Sequence, residues 1–394
     1  MIGAIAGGFL NEKFYQKVDL IMSINLAIMA GGCFVLPWST SVPMAAGAFA
    51  INGFSEGIIN TAGNTMVMDL WLEKAATPMH SLHFGFGFGA MLAPQIARPF
   101  ISSNADDSLS ASWENFTTIE NPRGSEARIA IPYGIVGIFI LAFSLVVLAF
   151  QIKGQPKDFP VRQNNTSFKA MVNPGSCTNG HVLYSIALFS CLFFYFIQAV
   201  GGERAYGKFL FSYATEDNYM TTDQAANLQT LFWFSFTFGR FLGIPLTKFL
   251  PLDVVIIGDV IGCIITSSVL ALYAYDSPTV LWACTPFMGM FIGVVFPNGM
   301  SWANLKMNMN SVAVMVLMMG VSTGGFIYQY TTGYLFENEG AETLMYVMFT
   351  FSILLMFSYI AMTLVAHFCK PNEYEVHSQP DVEIMTISGS DIKQ

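Results

Sequence analysis

The stretch LMYVMFTFSILLMFSYIAMTLVAHF, residues 344–368, runs for 25 residues without a single Asp, Glu, Lys or Arg. A helix needs about 20 predominantly apolar residues to cross the hydrocarbon core of a bilayer. The stretch is long enough to do so, and a soluble domain has no comparable apolar environment for it. It therefore predicts a membrane-spanning helix.

Nine more runs of this kind precede it in a chain of 394 residues, of which 54% are hydrophobic and 11% charged. Soluble domains carry about 25% charged residues, and no basic arm points to nucleic acid. Backbone in lipid must satisfy its own hydrogen bonds, and the alternating pattern of barrel strands is absent, so all ten runs predict helices. The runs cover residues 18–38, 43–70, 78–101, 130–152, 182–203, 225–247, 253–274, 279–303, 311–335 and 344–368.

The Lys and Arg residues predict the orientation. With residues 11–17 placed in the cytoplasm, alternate loops hold 11 basic residues on that side and 5 on the other, as the positive-inside rule requires. This orientation puts the loop 102–129 outside, where Asn115 begins a glycosylation sequon. The loop 153–181, with its sequons at Asn164 and Asn165, and the tail 370–394 lie inside. We expect a multi-pass protein of the plasma membrane.

The loop 153–181 also divides the chain into domains. Residues 1–152 form an N-terminal helical bundle, residues 182–369 form a six-helix bundle, and residues 370–394 are a tail. Residues 1–10 are apolar but too short to span, which predicts a partial helix and an N-terminal bundle one helix short of six. The two halves echo each other in GFLNEK (8–13) and GIPLTK (243–248), as in transporters built from internal repeats.

The segment GFLNEKFYQK (8–17) resembles the loop between the second and third helices of the major facilitator superfamily, with Glu12 in place of an Asp and with Tyr15 and Gln16 departing from the pattern. An ordered set of segments resembles one branch, the sodium-dependent glucose transporters, which includes relatives of major facilitator domain-containing protein 4 and is a cousin of the bacterial fucose permeases. The set is GNTMVMDLW (63–71), HFGFGFGAMLAPQIARPF (83–100), GGERAYGKFLFSYA (201–214), FPNGMSWA (296–303) and GVSTGGFIYQYTTGYLF (320–336).

This resemblance implies an all-α membrane protein with the major facilitator fold, two pseudo-symmetric bundles and about 10 full transmembrane helices. It implies that the first helix of the family is absent here and that α-helical residues 1–10 are the end of the second. It further implies sugar transport coupled to sodium. The family usually has an acid at the position of Asn60, whereas here the acid, Glu56, lies one turn earlier.

Polar residues inside the predicted spans indicate where a solute could bind, because a charge at a helix centre costs about 2.5–3.5 kcal/mol. Asn52, Glu56, Asn60 and Asn64 recur at four-residue steps and so share one helix face. That face predicts a wall for sugar hydroxyls, with one carboxylate that can bind Na⁺ or H⁺. The alternative is hydrogen bonding between helices.

Glu203 and Arg204 end the run 182–203, where Glu203 is either a gate or ion ligand at the outer mouth or part of an interfacial ion pair. Arg240 lies eight residues before Lys248, about 12 Å deeper along the helix. It is either a ligand contact or half of a structural salt bridge. His80 and His83 are spaced for a metal, but no third ligand is near in sequence, so we predict no metal site. The remaining candidate sugar contacts are His83, Tyr195, Gln198, Trp233, Asn298 and Gln329.

We therefore expect a secondary transporter that moves a glucose-like sugar by alternating access of its two halves, with Na⁺ or H⁺ as coupling ion and no cofactor. The alternative is an orphan or sensor membrane protein that keeps the fold without transporting. The sequence contains no HExxH, no GxSxG with a partner His and no carboxylate pair, so we do not expect an enzyme. It does not define an oligomeric state.

Overall fold

The computed structural model of the chain describes residues 1–97, 100, 126–154, 173–216 and 219–371, and this part of the chain is helical, without strands. The first half contains α1 (Ile2–Lys13), α2 (Val18–Val35), α3 (Val42–Trp71), α4 (Ala76–Ala97) and α5 (Glu126–Lys153). The second half contains α6 (Val182–Thr215), α7 (Thr222–Phe249), α8 (Leu252–Tyr273), α9 (Pro278–Lys306), α10 (Ser311–Glu339) and α11 (Thr343–Phe368). The sequon at Asn115 and most of the predicted linker and tail lie outside the described residues.

The predicted all-helical fold is confirmed, because each of the ten apolar runs overlaps one of the helices α2–α11, and the apolar residues 1–10 fall within α1 apart from Met1. The end predicted for α6 is wrong. The run was ended at residue 203 because Glu203 and Arg204 follow, but the helix continues to Thr215. Glu203 is buried, so its charge faces protein instead of lipid and does not mark the end of the span.

Eight helices in the described part of the chain are long and apolar enough to cross a membrane; α1 is too short, and α4 and α7 fall short of that criterion. These two helices pack along each other, and α7 also packs on α9. Their polar side chains, such as His80 and Arg240, are buried between them and need no lipid-compatible surface. The chain is thus a multi-pass integral membrane protein in which two spans are partly shielded by their neighbours.

Side-chain caps define where several helices begin. Thr221 and Gln224 form a capping box at the start of α7, with Thr221 Oγ1 accepting from Gln224 N at 3.3 Å and Gln224 Oε1 accepting from Thr221 N at 3.1 Å. Asn310 caps α10 by accepting from Ala313 N at 2.8 Å. These contacts satisfy backbone N–H groups that the first turn of a helix leaves without partners.

Close backbone approach holds α7 against α9. A Cβ atom added at Gly293 would lie 2.5 Å from the Phe236 carbonyl oxygen, and one added at Gly239 would lie 2.3 Å from that of Met290. Small residues allow membrane helices to pack at such distances, where dispersion forces replace the hydrophobic effect as the source of stability. An alanine at either position would force the two helices apart.

The two halves meet at a surface that we call the seam, formed by α4 against α7 and α9, and by α1 and α3 against α10. One end of the seam, beside the turn between α3 and α4, is bridged by hydrogen bonds, and we call it the closed end. Asn304 Nδ2 donates to the carbonyl of Leu72 at 2.6 Å, and the first N–H of α10, at Ser311, donates to Glu12 Oε2 at 3.1 Å. A carboxylate at a helix N-terminus is also favoured by the helix dipole.

Candidate functional site

A cavity of about 250 Å³ lies on the seam, away from the closed end. Glu56 and Asn60 of α3 form one wall, and Arg204 of α6 with Gln329 of α10 form the other. A narrower extension of about 60 Å³ continues from the same walls into the molecule. The walls belong to different halves of the chain, so any solute held here contacts both halves at once. The extension is lined in addition by His83, Phe86, Glu203, Arg240 and Phe296.

The predicted polar face of α3 divides between two environments. Glu56 and Asn60 are exposed to the cavity. Asn64 is buried: its Nδ2 donates to the carbonyl of Asn60 at 2.8 Å, and its Oδ1 lies 3.1 Å from His83 Nε2. Asn64 thereby fixes the ring of a residue that lines the extension.

Asn52, the fourth member of that face, does not line the cavity. Its amide lies against Gly32 of α2, where a Cβ atom on Gly32 would be 2.0 Å from Asn52 Oδ1. The four-residue spacing drifts around the helix by 40° per step, since each residue advances the helix by 100°. The first turn of the face therefore points to α2, while the later turns point to the seam.

Arg240 holds the inner end of the extension together. Its NH2 lies 3.6 Å from Glu203 Oε2, its Nε donates to the carbonyl of Gly293 at 2.7 Å, and its NH1 donates to the carbonyl of His83 at 2.8 Å. The guanidinium carbon also lies 4.1 Å above the centroid of the Phe236 ring. Charge, hydrogen bonds and a cation–π contact together compensate for its burial.

Glu203 forms an ion pair with Arg240 of α7, not with the neighbouring Arg204, and it also lines the extension. Glu203 and Arg240 are both nearly wholly buried, at 4% and 2% exposure, so the pair lies deep between helices and not at an outer mouth. Arg204, the neighbour in sequence, lines the cavity instead. Arg240 both pairs with Glu203 and lines the extension, at the border of the cavity.

Of the other predicted sugar contacts, some line the cavity and some do not. His83 and Gln329 line it, and the His83 ring packs edge-on against Phe296, with centroids 4.6 Å apart. Tyr195 is buried and donates to the carbonyl of Val295 at 3.0 Å, while Gln198 accepts a hydrogen bond from Tyr328. Both of these residues bind helices of the second half to each other.

Trp233 and Asn298 also lie outside the cavity lining. Trp233 packs against the rings of Phe232 and Phe236, with centroids 5.1 and 5.3 Å away. Asn298 is fully buried and donates through Nδ2 to Asp259 Oδ2 at 2.6 Å. Asn298 has no surface left for a solute, whereas Trp233 is partly buried and its described ring contacts are with neighbours on its own helix.

Sequence reasoning missed two residues that the structure brings forward. Phe86 lines the extension but lies in a Phe- and Gly-rich run that gave no polar signal. Asp259 lies two turns inside the apolar run 253–274, well past Asp253 at its start, and an acid within such a run is a signal in its own right. In the described part of the chain, no three His, Cys, Asp or Glu side chains come together as metal ligands.

Comparison with known proteins agrees with this architecture. Residues 1–329 match the Major Facilitator Superfamily. The chain is 27% identical to sodium-dependent glucose transporter 1 of Xenopus laevis over 84% of the chain and 65% of that protein. It is 26% identical to the Homo sapiens protein of the same name over 82% of the chain and 61% of that protein. The chain thus spans less than two thirds of the length of these relatives.

Among solved structures, the E. coli fucose:proton symporter superimposes with a TM-score of 0.70 at 18% sequence identity, covering 92% of this chain and 87% of the symporter. At this identity the likeness concerns the fold. It supports two helical halves around a central seam, the arrangement in which the cavity described above was found.

Proposed function

We infer the function from the family and the cavity together: the chain belongs to the Major Facilitator Superfamily, and we propose that it transports a glucose-like sugar across a membrane by alternating access. The observation that carries this proposal is a polar cavity divided between two halves whose contact is closed at one end. Rocking the halves about a solute at their interface would expose it to each side in turn.

The chemistry of the walls suits a neutral polyol. Asn60, Gln329 and Ser322 line the cavity and offer both donors and acceptors to hydroxyl groups. Phe86 and Phe296 line the extension and offer apolar ring faces for the C–H face of a sugar. The four charged side chains around the cavity, two carboxylates and two guanidinium groups, sum to zero, so the site does not select for a charged solute.

We assign ion coupling to Glu56. In the described part of the chain no cationic group lies within ion-pair distance of its carboxylate, whereas the carboxylate of Glu203 is held by Arg240. A carboxylate that faces water without a fixed cation can take Na⁺ or H⁺. The names of the relatives in frog and human support sodium for this position.

The test is uptake of labelled glucose by the chain reconstituted in lipid vesicles, under an inward Na⁺ gradient, an inward proton gradient, or neither. We expect uptake above that of empty vesicles and acceleration by one of the gradients. Flux that no gradient accelerates would remove ion coupling. Saturable glucose binding without flux would point to the sensor alternative, and the absence of both would remove the sugar.

The proposed orientation places the closed end of the seam in the cytoplasm of a plasma-membrane protein, following the positive-inside count. Protein from animal cells should then shift in gel mobility after glycosidase treatment, because the sequon at Asn115 lies on the outside. Asn115→Gln should abolish the shift. The matched control Asn164→Gln/Asn165→Gln should leave it unchanged, and the reverse pattern would invert the topology.

A further inference from the structure

A chain of three buried polar side chains crosses the seam near its closed end, outside the cavity lining. Asn298 of α9 connects Asp259 of α8 to His80 of α4. Its Nδ2 donates to Asp259 Oδ2 at 2.6 Å, and its Oδ1 lies 2.8 Å from His80 Nε2. Exposure is 9% for Asp259 and 0% for the other two. The contact thus joins a carboxyl group of the second half to an imidazole of the first.

The direction of these hydrogen bonds follows from the carboxylate. An ionised carboxylate only accepts, so the Asn298 amide must turn its NH₂ group toward Asp259 and its oxygen toward His80. The oxygen can accept only if His80 Nε2 carries a hydrogen. In this tautomer the uncharged ring has its lone pair on Nδ1, which is buried without a hydrogen-bond partner in the described part of the chain. We call the chain Asp259–Asn298–His80 the bridge. The charge of Asp259 therefore sets the direction of both hydrogen bonds in the bridge.

Other titratable groups surround the bridge, and most of them already have an ion-pair or hydrogen-bond partner elsewhere. Arg240 pairs with Glu203, His83 contacts Asn64, and the Tyr195 hydroxyl donates to Val295. None of the described groups forms an ion pair with Asp259, so a proton can bind its carboxylate without breaking one. Arg240 of α7 and His83 of α4 face His80, Cys263 of α8 and Tyr195 of α6 face Asp259, and Tyr359 of α11 faces Tyr195.

We propose that Asp259 is a proton-binding site, and that binding of a proton there loosens the closed end of the seam through Asn298 and His80. The proposal rests on the transport function proposed above and names H⁺ as an ion of its cycle. Protonation converts the carboxylate to a neutral acid, and a hydrogen bond to a neutral acceptor has about half the strength of one to a charged acceptor. The amide is then less firmly oriented toward His80.

The geometry also gives the proton a route and an exit. His83 lines the cavity extension, and His80 lies three residues before it on α4, which places both on one side of the helix. The two imidazoles thus extend from the cavity to the bridge, and because the Asn298 amide does not relay a proton, water carries the proton to the Asp259 carboxylate. Once the seam opens, the bridge is broken, Asp259 meets water on the closed-end side, and the proton leaves there.

Seam closure can be measured independently of transport with the variant Thr77→Cys/Thr247→Cys, because the two native hydroxyl oxygens lie 3.5 Å apart across the closed end. The readout is the rate of cross-linking in lipid vesicles between roughly pH 8 and roughly pH 5. The same cysteine pair is introduced into the Asp259→Asn protein, so that the pH dependence of thiol chemistry cancels in the ratio. Asp253→Asn is the matched control, since Asp253 is a carboxylate of the same helix bound to Trp302 at 2.8 Å.

The cross-linking rate with native Asp259, divided by the rate of the Asp259→Asn protein, should fall about fivefold on acidification. The Asp259→Asn protein should stay at the low-pH level throughout, and the Asp253→Asn protein should respond like the native one. His80→Gln keeps a donor toward Asn298 but removes the imidazole, and it should keep the pH response. A full response in Asp259→Asn, or its loss in His80→Gln alone, would overturn the assignment.

A transport measurement separates this inference from the function on which it rests. Vesicles that contain a pH-sensitive dye should acidify when the native protein carries glucose inward, and Asp259→Asn should abolish acidification while leaving exchange of labelled for unlabelled glucose. Glucose flux without proton movement in the native protein would refute the proton site and leave sugar transport intact. If no glucose moves at all, sugar transport fails, and the cross-linking result alone decides the proton site.

Discussion

The cavity holds a carboxylate on each side of the seam, and the two are treated differently. Glu203, on α6, is 4% exposed and lies 3.6 Å from the guanidinium of Arg240. Glu56, on α3, is exposed to the cavity, with no ion pair in the described part of the chain. The difference teaches that an acid inside a membrane protein is not by itself an ion site. Its partner decides whether it stabilises the fold or stays available to a solute.

The largest effect is expected when the partner of the buried acid Glu203 is removed. Arg240→Ala leaves Glu203 as a buried carboxylate without its cation, and removal of one member of such a pair costs about 3–5 kcal/mol. We expect a large loss of thermal stability in detergent, measured by size-exclusion chromatography after heating. Glu203→Gln/Arg240→Ala should recover part of it. Arg204→Ala is the control, and an equal loss there would show that the pair has no special role.

A change at the other acid should separate function from stability. Glu56→Gln keeps the shape and hydrogen bonding of the side chain but removes its charge, so we expect a stability change within about 0.5 kcal/mol. If the carboxylate binds the coupling ion, gradient-driven accumulation of glucose should disappear while exchange persists. If it only holds a sugar hydroxyl, KM should rise and ion dependence should remain. Unchanged uptake under every Na⁺ and pH condition would remove Glu56 from the site.

The smallest expected effects are on KM, and they compare two asparagines of the same helix, α3. Asn60→Ala removes one hydrogen bond to the solute, and a loss of about 1 kcal/mol raises KM about fivefold. Asn52→Ala, two turns earlier on the same predicted face, should change KM less than about twofold, because its amide lies against α2. Initial rates of glucose uptake give both values, and a larger effect at Asn52 would show that the face is not divided as described.

Sequence patterns located the helices well because hydropathy depends mainly on the surrounding solvent, and all ten predicted runs overlap a helix. They also selected Glu56, Asn60, His83 and Gln329, which line one cavity. Spacing along one helix cannot show how that helix is rotated against its neighbours. For this reason Asn52 was grouped with the cavity residues although it faces α2.

Partners across helices were beyond the reach of sequence patterns. Arg240 lies 37 positions after Glu203 and 157 after His83, and no local pattern joins these residues. Asp259 was visible as an acid within an apolar run, but its importance depends on Asn298 and His80, which come from two other helices. The packing of helices, and not their composition, decides which buried polar groups meet.

The Arg240 guanidinium is shared unequally between the two halves. Glu203 and the carbonyl of Gly293 belong to the same half as Arg240, and the carbonyl of His83 belongs to the other. Separation of the halves would therefore break one hydrogen bond to a neutral acceptor and the contact with the Phe86 ring of α4, 5.2 Å away, and would leave the positive charge neutralised. A hydrogen bond to a charged group is worth about 1.5–3 kcal/mol, so these contacts would add little to the barrier for the proposed rocking. The ion pair that offsets the burial of the cation lies within one half and would not be broken.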